Sequence, residues 1–172
     1  GVGITSIKID AGIIGVANVM TNLFMSRTDP VFNKIPEIIN SFRLSANVDF
    51  ALVDVHGEAS SEKMAIGYAL DGNVSAVVGT HTHVPTADYQ ILEKGTAYIT
   101  DVGMSGDYNS IIGMNKEDAL NRFMFPNDKK SKLEVSPGEP TLCGVIIESH
   151  TNGLSKSIKP LRLGGRLEQT IL

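Results

Sequence analysis

Apolar positions along this chain alternate between strand-like runs and helical spacing. Thr5 to Ile9 and Ile13 to Val19 are β-prone runs separated by Asp10-Ala11-Gly12, turn chemistry that predicts an opening antiparallel hairpin. From Val31 to Leu44, Val31, Ile35, Ile38, Ile39 and Phe42 recur near helical spacing, and Pro36 has to fall in the first turn of that helix. Phe50 to Val55 is short and mostly apolar, as a buried strand requires. In the next helix Ser60 or Ser61 is the expected cap, Met64, Ala65, Tyr68 and Ala69 form the apolar stripe, and Gly72 is the stop. Val74 to Val78 and Gly95 to Val102 predict two more strands, Lys116 to Met124 a short helix, and Phe125 to Pro140 a polar loop. Leu142 to Glu148 and Ser157 to Leu163, joined by Thr151-Asn152-Gly153, predict a closing hairpin.

This order mixes αβ alternation with antiparallel pairs, so the expected fold class is α/β with a mixed sheet or a two-sheet core. No repeat, low-complexity tract or linker divides the 172 residues, and 42% hydrophobic content suffices for one core. A formal net charge of -4 argues against a general grip on nucleic acid or an anionic membrane. It leaves open a small phosphorylated substrate held by metal, because a bound ion supplies charge that this count omits.

Cys143 is the sole cysteine, which excludes an internal disulfide, and its setting in TLCGVII predicts a buried strand residue. No stretch has the length of a membrane-spanning helix, and GVGITSIKID lacks the layout of a signal peptide, so a cytoplasmic protein is expected. The chain starts at Gly1 with a strand and no lead-in element, which suggests truncation.

The chemistry concentrates in histidines. His56 in His56-Gly57-Glu58, and His81 and His83 in Gly79-Thr80-His81-Thr82-His83, each follow an apolar strand pattern, so three imidazoles are expected to converge at adjacent strand ends. Asp54 lies two residues before His56, on the same side of an extended strand, where it can orient an imidazole through the ring's second nitrogen or serve as a polar strand end. Glu58 can ligate or act as a base, but a place at the next helix's N-terminus, where negative charge is favoured, is the preferred reading. His150 is expected at an exposed turn. Thr100-Asp101-Val102-Gly103-Met104-Ser105-Gly106 is glycine-rich without the spacing of a P-loop or a dinucleotide fingerprint.

Three segments together resemble the YmdB-like metallophosphoesterases: Val53-Asp54-Val55-His56-Gly57-Glu58-Ala59-Ser60-Ser61-Glu62-Lys63, Val78-Gly79-Thr80-His81-Thr82-His83-Val84, and Gly95-Thr96-Ala97-Tyr98-Ile99-Thr100-Asp101-Val102-Gly103-Met104. Their order and spacing match, over a stretch from the opening hairpin to about Arg166. The resemblance implies a calcineurin-like αββα sandwich binding two divalent transition-metal ions, iron or manganese, and hydrolysing phosphodiesters such as 2′,3′-cyclic nucleotides. By the same resemblance His56 and His81 ligate one metal and His83 the other, with Asp54, Thr82 and Asp101 in support. Gly57 stands where the family pattern has alanine.

The family's N-terminal Asp, Glu-Asn and Asn-His motifs have no counterpart here. The resemblance therefore implies an incomplete sandwich, the C-terminal portion of one domain, whose general-acid histidine lies outside the chain. Activity is expected to need that N-terminal half, and the exposed sheet to recruit it or to form a homo-oligomer. The alternative is a catalytically inactive fragment or interaction domain that retains the histidines. A third reading, a self-contained hydrolase with carboxylates among Asp54, Glu58, Asp88 and Asp101, ranks last because the other motif residues fit the phosphoesterase pattern.

Overall fold

The computed structural model describes residues 3–24, 29–127 and 132–170. The centre of the expected polar loop, residues 128–131, and the first residue, Gly1, lie outside them.

Six strands form one mixed sheet: β1 (Ile4–Ile9), β2 (Gly12–Met20), β3 (Phe50–His56), β4 (Ala76–Thr80), β5 (Gln90–Ile91) and β6 (Ala97–Ile99), in the order β1-β2-β3-β4-β6-β5. β2, β3, β4 and β6 run parallel, while β1 and β5 are antiparallel edges. The opening hairpin turns at Gly12, whose φ of 139° favours glycine, and the Asp49 carboxylate accepts the Ile13 N–H there at 2.7 Å. Three helices, α1 (Ile35–Ser41), α2 (Ser60–Leu70) and α3 (Lys116–Met124), and a second sheet made of β7 (Leu142–Ser149) and β8 (Ser155–Leu163), complete the chain. No helix among the described residues is long and apolar enough to cross a membrane.

The pleat of β3 divides its side chains between two cores. Ala51, Val53 and Val55 pack with Val77 against α1 and α2, through Ile38, Ile66 and Leu70. Phe50 and Leu52 point the other way, with Ala76 and Val78, towards Val145, Ile147 and Ile158 of the second sheet. Each fully buried valine on the helical side contributes roughly 1.5–3 kcal/mol relative to exposure. The other side is covered less completely: an apolar cleft of about 300 Å³ remains between the sheets, lined by Phe50, Leu52, Val78, Val102, Val145 and Ile147.

Several boundaries differ from expectation. The first helical segment is a 3-10 turn at Val31–Lys34 followed by α1, with Pro36 in the first turn of α1 as anticipated. β4 starts at Ala76 because the Ser75 hydroxyl, rather than a ladder partner, accepts the Ala51 N–H at 2.9 Å. β6 stops at Ile99 because the Asp88 carboxylate takes the next amide, Thr100 N–H, at 3.2 Å. The two-residue β5 was not expected at all.

The face of α2 is the largest correction. Lys63, Ile66, Gly67 and Leu70 are buried, whereas Met64, Ala65, Tyr68 and Ala69, the expected apolar stripe, face outward. Gly67 belongs inside because a Cβ there would meet the Tyr98 ring at 2.6 Å. Lys63 belongs inside because Asp101 and a backbone carbonyl receive its ammonium. Neither serine caps the helix: Ala59 is the cap position and makes no side-chain hydrogen bond.

Candidate metal centre

His56 closes β3 and is paired in register with Thr80, which closes β4, so both stand at the C-terminal edge of the parallel strands. Asp54 and His56 lie on the same face of β3, yet the carboxylate does not touch the ring. The Thr80 hydroxyl mediates instead, donating to Asp54 Oδ1 at 2.9 Å and standing 3.0 Å from His56 Nδ1. Asn18 Nδ2 donates to the other carboxylate oxygen at 2.7 Å. With its own proton committed to Asp54, the hydroxyl accepts from His56 Nδ1–H, which leaves Nε2 with an outward lone pair.

His81 is held in the opposite sense. Its Nε2 lies 2.8 Å from Glu58 Oε2, so Nε2–H donates to the carboxylate and Nδ1 keeps the lone pair. That Nδ1 faces His56 Nε2 at 3.2 Å, with the rings edge to face and their centroids 5.0 Å apart. Two lone pairs directed at each other repel unless a proton or a cation lies between them. Two nitrogens ligating one ion at about 2.1 Å are about 3.0 Å apart at a right angle and about 3.4 Å apart at the tetrahedral angle. The observed separation falls between these and is also the length of an N–H···N hydrogen bond, so the pair can share either a proton or a transition-metal ion.

His83 is turned elsewhere: its Nδ1 donates to the Ile112 carbonyl at 2.9 Å, again leaving Nε2 with the free lone pair. The Tyr108 hydroxyl reaches the His83 carbonyl at 3.1 Å and accepts the Met104 N–H at 3.0 Å. Burial, with the Cys143 side chain beside it, holds the Tyr108 phenol above its ordinary pKa range. His81 and His83 both have left-handed backbone, φ 125° and 65°, as does Ile112 at 49°. Such conformations in non-glycine residues cost of order 1–3 kcal/mol each and persist where surrounding structure imposes them.

Among the described residues no group of three or more His, Cys, Asp or Glu side chains is placed to hold a metal ion. Two of the three expected imidazoles therefore meet. Glu58 does not complete a triad, because it lies on the far side of the His81 ring from His56. It stands directly before Ala59, the cap position of the next helix, as the helix-terminus reading expected, and through His81 it is part of the site as well. Asp101 and Thr82 are joined behind the histidines, Thr82 N–H donating to Asp101 Oδ2 at 2.8 Å. Asp88 sits against Thr100, away from the rings, and His150 is exposed at the turn between β7 and β8. Thr80, Tyr108 and the Ile112 carbonyl were not singled out from sequence. A backbone acceptor leaves no mark in residue type, and a threonine inside a histidine motif reads as spacing.

Beside the pair is a cleft of about 300 Å³ lined by Met20, Leu23, Phe24, His56, Glu58 and His81. Thr21, 2% exposed, lies in this lining, and its buried Oγ1 has no hydrogen-bond partner among the described residues. It also accounts for Gly57: a Cβ at that position would collide with Thr21 Oγ1 and approach Cγ2 to 2.7 Å.

A mixed α/β sheet presenting histidines at the C-terminal ends of its parallel strands defines the class as an α/β protein with its chemistry at the strand edge. The chain belongs to the YmdB-like protein family, whose model matches residues 1–161. It is 44% identical over 148 residues to a 2′,3′-cyclic-nucleotide 2′-phosphodiesterase of Bacillus subtilis, covering 86% of this chain and 54% of that protein. Two solved structures superpose with TM-scores of 0.80: a hypothetical protein from Thermus thermophilus, 35% identical, covering 95% of this chain and 62% of that one, and a phosphatase from Mycoplasma pneumoniae, 32% identical, covering 94% and 57%. The chain spans about half the length of the curated relatives it matches.

Proposed function

We propose that this chain contributes the histidine half of a two-metal phosphodiesterase site acting on small phosphodiesters, 2′,3′-cyclic nucleotides among them. The observation that carries the reading is the approach of His56 Nε2 and His81 Nδ1 to 3.2 Å, with the other nitrogen of each ring held by Thr80 and by Glu58. His56 and His81 are assigned to one ion and His83 to its neighbour, iron or manganese, with Asp54, Thr82 and Asp101 in support. Bound ions of this kind polarise phosphate oxygens and activate water. This chain's own part is to fix imidazole tautomers and to offer Met20, Leu23 and Phe24 as apolar lining beside the reacting group. The Bacillus subtilis relative's name supports the cyclic-nucleotide class.

In this reading the chain belongs to a cytoplasmic, calcineurin-like αββα sandwich. The carboxylate ligands and the general acid come from the rest of that sandwich, on the same or another polypeptide. The apolar cleft between the sheets supports it. The absence of a third ligand among the described residues also suits a second reading, a non-catalytic interaction domain that has kept its histidines. The test is hydrolysis of 2′,3′-cyclic AMP with manganese, by the chain alone and by the chain joined to the segment of the Bacillus subtilis relative outside the matched region. Turnover confined to the joined form and abolished by His83→Ala is expected. Equal turnover by the chain alone would refute the half-site, and none in either form would favour the interaction domain.

A further inference from the structure

We propose that Lys63 is the positioning residue of the histidine loop, fixing the backbone on both sides of His81 from inside the core. Its side chain is 0% exposed, and its ammonium donates to the Thr80 carbonyl at 3.0 Å and to Asp101 Oδ2 at 3.3 Å. The same Asp101 oxygen accepts the Thr82 N–H at 2.8 Å, while Oδ1 accepts the Gly103 N–H at 2.9 Å. One buried cation thus joins the residue before His81 to the residue after it. The peptide between them has the left-handed φ of 125° that an L-residue does not keep unaided.

A stabilising role alone does not explain this arrangement. Removing two charges from water costs about as much as their attraction returns, so a buried ion pair is weak grounds for stability, and an apolar residue on this face of α2 would pack as well. An apolar residue, however, leaves Thr80 O with the Gly57 N–H at 3.2 Å as its remaining donor and leaves Asp101 without its counter-charge. Thr80 is a junction in its own right, since its hydroxyl mediates between Asp54 and His56. Lys63 therefore acts on both strand ends, and on the imidazoles only through backbone. Its importance for catalysis rests on the metal-site reading above, whereas the clamp itself does not.

The double variant Lys63→Met/Asp101→Asn removes both charges together and leaves no buried ion unpaired; thermal unfolding reports whether it folds. In the folded variant the imidazole nitrogen resonances of His81 and His83 are expected to move, and the Thr82 amide to exchange faster with solvent, while His150 at the remote turn keeps its resonance. Manganese binding is expected to weaken on the order of 10- to 100-fold, the usual effect of losing an outer partner of a metal ligand. Unchanged His81 and His83 resonances with wild-type Thr82 exchange would overturn the role. So would a double variant that cannot fold, because the pair would then serve the core. If the parent chain joined to the relative's remaining segment takes up no manganese the metal reading fails, and the resonances still decide the clamp.

Discussion

His56 and His81 meet ring to ring, yet opposite means hold them. His56 ends a regular strand, and its orientation comes from side chains, through Thr80 to Asp54 and Asn18. His81 and His83 lie on a left-handed turn, and the backbone that carries them is fixed from below by Asp101, Lys63 and Tyr108. The first arrangement is modular, because removing a hydroxyl frees one ring. The second is collective, because the loop has its shape only while the strand beneath it stays in place.

The sharpest way to break the collective side is Gly79→Ala. A Cβ at Gly79 would run into the Thr100 carbonyl, which is backbone and cannot rotate aside, and would meet Lys63 Cδ at 2.9 Å. The expected loss exceeds about 4 kcal/mol, the range reserved for severe core damage. Urea unfolding checks it, and a midpoint within error of the parent would show that β4 and Thr100 can separate without consequence.

The modular side is tested by Thr80→Val, which keeps the shape and removes the hydroxyl between Asp54 and His56. His56 is exposed and Asp54 half-buried, so water takes up part of the lost bonding and stability is expected to fall by about 1 kcal/mol or less, while manganese affinity is expected to fall on the order of tenfold or more, as for other outer-shell losses. The His56 imidazole resonance should change while the Thr82 amide keeps its protection. If both respond together, the two strand ends form one unit and the contrast between them fails.

This contrast also explains what could be read from sequence. The opening hairpin, β3, the closing hairpin and buried Cys143 were legible because each follows from local pattern and turn chemistry. The strand-end placement of His56, His81 and His83 followed from the apolar runs before them. The face of α2 was not legible, because a buried lysine and glycine lie where periodicity favours apolar residues, and their partners Asp101 and Tyr98 are distant in sequence. Glu58 was placed correctly just before α2, but its contact with His81 was not legible, because only the turn after β4 brings that ring to it.

The smallest expected effect concerns Asp88, on the collective side but one layer behind the loop. Burial alone would raise its carboxyl pKa, but the Thr100 and Thr86 hydroxyls and the Thr100 amide favour the ionised form more, and the net shift is downward. A group with a lowered folded pKa adds stability above its unfolded value, near 3.8, and loses that contribution as pH falls through the folded value. Asp88→Asn removes the ionisation and keeps one acceptor, so the variant should be less stable than the parent at pH 6, with the gap narrowing as pH falls below about 4. Urea midpoints of both proteins between pH 6 and 2.5 measure it. A gap that stays constant across this range would mean that the shape of the Asp88 side chain, and not its charge, holds Thr100 behind the histidine loop.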